Sequence, residues 1–149
     1  MNQEIKQKWV EALRSGKYKQ TTYVLRREDS YCCLGVLCDI AGRGKWSIEN
    51  DEIDDSESGK LYSYTDIDLN FSDFECLPWS LALALDFEET SVKVQIVEKY
   101  LNSIICSEGL FAVNGNMYLP LTRINDELQL SFNQIADILE LCTEEGDLI

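Results

Sequence analysis

The stretch that most constrains this chain is YCCLGVLCDIAG, residues 31–42, in which Cys32 to Cys38 is an unbroken run of apolar residues and one glycine. It falls far short of the roughly 20 apolar residues of a membrane span, so it has to be buried inside a folded body. Its spacing puts Leu34, Leu37, Cys38 and Ala41 on one helical stripe with Cys33 and Ile40 on the shoulder, and Gly42 supplies the stop. The sequence therefore predicts a short helix buried through Cys33, Leu34, Leu37, Cys38 and Ala41, around which a core must be built.

The same stretch holds three of the six cysteines, which raises the question of chemistry. A zinc site needs four ligands at spacings such as Cys-x2-Cys, and this chain has no histidine and no Cys-x2-Cys. At 100° per residue Cys33 and Cys38 point about 140° apart, so they cannot share a metal. No metal and no cofactor is expected. Free cysteine packs as a small hydrophobe, which suits Cys33 and Cys38. Cys32 falls on the opposite side of the helix, near Gly35 and Asp39, and is the one of the three expected to be exposed if any is. A nucleophilic Cys32 would need its thiol pKa lowered by the helix N-terminus and by Arg26 or Arg27. With no histidine to act as base, papain-like acyl transfer and a Ser-His-Asp triad are both excluded.

Along the chain, Ile5, Trp9, Ala12 and Leu13 predict a first helix stopped at Gly16. The Thr, Tyr and Val content of the following segment predicts a strand around residues 21–26, with Thr22, Val24 and Arg26 on one face. Residues 51–60, DEIDDSESGK, read as a mobile, solvated acidic loop, and YTDIDLNF as a strand with Ile67, Leu69 and Phe71 alternating. Pro78 opens a helix through Leu85. Ser91 is expected to cap a helix with Val92, Ile96, Tyr100 and Ile104 on one face. Asn114-Gly115 between two apolar runs predicts a type I′ hairpin. Ser131 and Gln134 form a capping box ahead of a last helix whose face is Phe132, Ile135, Ala136, Ile138, Leu139 and Cys142. A polar tail, 143–149, closes the chain. At 149 residues this is one domain, helix-rich α+β with a few short antiparallel strands, and no βαβ alternation to imply a doubly wound sheet.

The formal net charge of −14 disfavours direct binding to nucleic acid or to an anionic membrane. The opening MNQEIKQKW holds no apolar run of signal-peptide length, so a cytoplasmic protein is expected. The charge is unevenly distributed, however: residues 1–27 carry seven Lys and Arg against Glu4 and Glu11, and the acidic excess follows from Glu28 onward. Two surfaces follow from this split. Arg14, Gln20, Tyr23 and Arg26, with the Asn125-Asp126 pair flanked by apolar runs, are candidates for holding a phosphorylated or nucleotide-like small molecule, either within one chain or between protomers. The alternative for this segment is a basic surface that pairs with the acidic body, and for Asn125-Asp126 a helix cap or turn. Asp51, Glu52, Asp54 and Asp55 are candidates for docking a basic surface of a protein; they lack the spacing of a calcium loop. A small enzyme using Cys32, or an Asp39/Asp126 pair, is the remaining alternative. The sequence leaves homo-oligomerisation open.

The blocks KWVEALRSGKYKQTTYVLR, YCCLGVLCDIAG, LPWSLALAL and LTRINDELQLSFNQIADILE, about half the chain, resemble a widespread group of small phage and prophage proteins of uncharacterised function. The resemblance implies a viral gene product acting inside a bacterial host cell and supplies no catalytic residues. By analogy with small phage accessory proteins, it implies counter-defence: a binding protein that blocks a host protein or sequesters a nucleotide signal.

Overall fold

The structure, a computed structural model, describes residues 2–49, 59–66, 72–86, 90–105 and 108–149. The acidic candidates Asp51, Glu52, Asp54 and Asp55, and the alternation at Ile67, Leu69 and Phe71, lie outside the described residues.

Helix α1, Gln3–Arg14, is capped by Asn2 and buries Trp9, Val10 and Leu13 as its periodicity requires. Short strands β1 (Lys19–Gln20), β2 (Arg26–Arg27) and β3 (Ser30–Tyr31) follow, and then α2, Cys33–Ala41, which ends at Gly42 in the left-handed region, φ 63°. Every residue from Cys33 to Cys38 is buried. Strands β4 (Gly44–Ile48), β5 (Leu61–Asp66) and β6 (Ser72–Asp73) complete a sheet in the order β1-β3-β2-β5-β4, with β6 also on β5. All its pairings are antiparallel except β1 with β3.

Helix α3, Trp79–Ala84, starts after Pro78, which takes the cap position rather than the first turn. Where a Ser91-capped helix was expected, Ser91–Lys93 instead forms β7, and α4 begins only at Val94 and ends at Leu101. The reason is on the partner strand: Val92 is fully buried opposite Leu119. Asn102 in the left-handed region then ends the helix, leaving Ile104 92% exposed beyond it. Strands β8 (Phe111–Val113) and β9 (Asn116–Pro120) form the hairpin, with positive φ at Asn114 and Gly115 as a type I′ turn demands. Helix α5, Leu121–Asp126, and helix α6, Phe132–Leu141 with its capping box intact, close the fold. Residues 143–149 are no solvated tail. Ser91 and Ile149 exchange backbone hydrogen bonds, Leu148 is buried, and Lys93 bonds Asp147 at 3.1 Å.

This is a mixed α+β domain whose core runs from α2 to α1, α5 and α6. Among the described residues, no helix is long and apolar enough to cross a membrane.

Candidate functional site

The basic segment is shaped by Leu25. Its N–H donates to Phe74 O at 2.6 Å and its carbonyl accepts the Cys32 N–H at 3.1 Å. Val24 and Leu25 are both buried. Two consecutive inward residues break the alternation that a strand needs, so the strand expected over 21–26 does not form. Residues 21–25 bend instead, with Tyr23 at φ 64° and 64% exposed.

The proposed ligand residues disperse accordingly. Arg14 bonds Asp137 at 2.6 Å and both oxygens of Glu140 at 2.6 and 2.8 Å. Those bonds hold both carboxyls below their ordinary pKa values. Arg14 is thus neutralised by the acidic body, which removes it from any anion pocket. Gln20 and Asn125 do meet: Gln20 Nε2 donates to Asn125 Oδ1 at 2.9 Å and to Leu130 O at 2.8 Å, while its oxygen accepts from the Phe132 N–H at 3.1 Å. Fully buried Asn125 donates to Thr21 O at 2.9 Å and to Asp126 Oδ1 at 2.6 Å, and accepts weakly from Cys33 N at 3.4 Å. The two amides thereby tie β1, the start of α2, α5 and the entry to α6 together. A shallow depression of about 350 Å³ lies beside them, lined by Gln20, Thr21, Thr22, Asn125 and Gln129. The amide heads of Gln20 and Asn125 are already committed to the protein, so they work as structural braces.

Arg26 is placed quite differently. Register on the sheet puts Tyr31, Arg26 and Tyr62 side by side, with Tyr64 and Trp46 on the same face. The Arg26 guanidinium lies 4.2 Å from the ring centre of Tyr62, 5.0 Å from Tyr31 and 5.4 Å from Trp46. Its Nε donates to Glu28 O at 2.9 Å. Rings Tyr18, Tyr31, Trp46 and Tyr64 meet edge-to-face in succession, at 4.9–5.7 Å. Asp39 locks this row from α2, accepting from Tyr18 Oη at 2.8 Å and from Trp46 Nε1 at 3.0 Å. Burial and the Asp39 contact push the Tyr18 phenol up to about 12. The outcome is a half-exposed cation held among aromatic rings on the face of the sheet's middle strand. The charge and residue types of the basic segment mark Arg26 in the sequence, whereas Tyr31, Trp46 and Tyr62 lie outside that segment. The period-2 aromatics of LYSY, residues 61–64, were the available signal.

None of the three cysteines of residues 32–38 is exposed, Cys32 included. Cys32 is 4% exposed and caps α2, its sulfur accepting the Gly35 N–H at 3.3 Å. Burial pushes its thiol up to about 12, and burial likewise raises those of Cys33 and Cys38. Its shielding follows from Leu25, which passes directly over the Gly35 side of the helix. A thiol in that state is no nucleophile at neutral pH. Asp39 and Asp126 are engaged with different partners, the ring row and Asn125. Among the described residues, no cluster of potential ligands could hold a metal ion.

The model of a family described as a domain of unknown function, DUF8296, matches residues 1–143. The chain belongs to this family. No curated protein and no solved structure matches it. The matched span contains every helix and strand described above.

Proposed function

We propose that this member of the family is a non-catalytic accessory protein of phage type, which interferes with a host factor by docking a host protein. The Arg26 platform carries this reading. Arginine, tyrosine and tryptophan are the side chains that dominate binding energy at protein interfaces, because each joins a broad apolar surface to a directed polar group. Here the rings hold the guanidinium in one orientation before any partner arrives, which lowers the entropy cost of its contacts. The platform presents ring faces and one guanidinium at half-exposed positions, which suits a broad partner surface. The acidic run 51–57 adds long-range attraction toward a basic partner.

The test is affinity capture from a bacterial lysate with the whole protein and with Arg26→Ala, beside thermal shifts against cyclic and linear nucleotides. One host protein retained by the parent, released as salt rises and lost with Arg26→Ala, supports the reading. Stabilisation by a nucleotide with no retained protein replaces it with sequestration of a small molecule.

A further inference from the structure

We infer that strand β4 is an interface for a second copy of this chain, pairing with itself about a two-fold axis at Trp46. Strand β4 ends the sheet order, and among the described residues only β5 pairs with it. Glu49 N donates to Leu61 O at 3.0 Å, which fixes the hydrogen-bond phase of the ladder. In an antiparallel pair the bonded class alternates, so Lys45, Ser47 and Glu49 exchange bonds with β5. Gly44, Trp46 and Ile48 then direct their N–H and C=O groups outward. Such an edge is a template for another strand.

Self-pairing has to join residues of one class, which restricts the registers. With the axis at Trp46, Gly44 faces Ile48, Lys45 faces Ser47 and Arg43 faces Glu49 of the second copy. All three outward residues on each strand are satisfied, giving about six inter-chain hydrogen bonds. Ile48, 45% exposed in the single chain, lies beside a residue with no side chain to oppose it. Moving the register two residues one way sets Lys45 against Lys45. Moving it two the other way leaves Gly44 outside the ladder. The sheet thereby runs continuously through both copies, with an Arg26 platform on each.

Sedimentation of the full-length protein over a range of concentrations tests this. The expected result is a reversible rise in mass from the 17.1 kDa chain toward twice that value. Ile48→Pro removes an outward N–H that β5 does not use, so the fold, checked by circular dichroism, is retained. Losing one such bond from each copy weakens the dimer by about tenfold or more. A monomer at every concentration overturns the inference. So does a dimer indifferent to Ile48→Pro.

Discussion

Replacing Gly35 by alanine tests the central packing of this fold, because two opposing effects of known size act at that position. Gly35 lies in the buried turn of α2, and a helical glycine changed to alanine gains about 1 kcal/mol from propensity alone. In this structure, however, a Cβ on Gly35 would sit 2.8 Å from the carbonyl carbon of Leu25 and 3.3 Å from its Cα, closer still to the oxygen. Ordinary carbon contacts lie at about 3.5–4.0 Å, so the helix and the Leu25 backbone must separate by roughly 0.7 Å or more. Neither can give way cheaply. Leu25 is pinned by Phe74 O and by the Cys32 N–H, and α2 by the Trp9 indole, which donates to Cys33 O at 2.9 Å. Forced overpacking costs about 1–3 kcal/mol, and the obstacle here is backbone rather than a side chain that could swing away. With the bonds at Leu25 stretched as well, the clash outweighs the propensity gain, and a net loss of about 2 kcal/mol is expected. For a chain of this length that lowers Tm by roughly 4–8 °C. Urea unfolding followed by circular dichroism reads the change directly. Gly35→Ala with the midpoint of the parent, or a higher one, refutes the claim that α2 is seated on the Leu25 carbonyl.

Three further outcomes follow from the same structure. Asn125→Ala strips partners from Gln20 and Thr21 in a buried setting and should cost about 2–4 kcal/mol in the same urea assay, whereas a change under 1 kcal/mol would deny the brace. Alkylation of the native protein followed by peptide mass mapping should label Cys76, the exposed one of the five described cysteines, and spare Cys32, Cys33, Cys38 and Cys142 until denaturant is added. Because Arg14 lowers the carboxyl pKa values of Asp137 and Glu140, their contribution is present above the ordinary carboxylate range and is lost as pH falls through the folded values. Arg14→Gln should therefore flatten the acid limb of a Tm-against-pH curve, and an unchanged limb would show that the pair contributes nothing.

Helix positions were legible wherever one apolar stripe had to meet a core, as in α1, α2 and α6. Local chemistry was enough for the Asn114-Gly115 turn and the Ser131 capping box. Segments decided by distant partners were not legible. Ser91–Lys93 has a helical pattern but is held extended by β9 and by residues 147–149. Residues 21–25 have strand-forming side chains, yet Val24 and Leu25 are both buried, Leu25 against α2. For the candidate site, composition marked Arg26 and separately suggested that Gln20 and Asn125 matter, but nothing local could show that Arg14 would be spent on α6. The platform itself needed the register of β2, β3, β4 and β5, a long-range property that no single window carries.

That register also separates framework from surface in the motif that first attracted a catalytic reading. Within residues 25–39, Leu25 and Gly35 set the seat of α2, Cys32 caps it, Cys33 holds Trp9 and Asp39 locks the ring row. Each of these groups is used internally, so each explains why the chain folds rather than what it touches. Arg26 is the exception in the stretch: its Nε bonds only its own turn among the described residues, while three rings hold its half-exposed charge on the face of the sheet. Three ring contacts to a guanidinium contribute on the order of 0.5–2 kcal/mol of cation–π attraction, so the platform also helps to hold β2, β3, β4 and β5 together. The same contacts hold the guanidinium in one orientation, which is the feature that the proposed docking of a partner depends on.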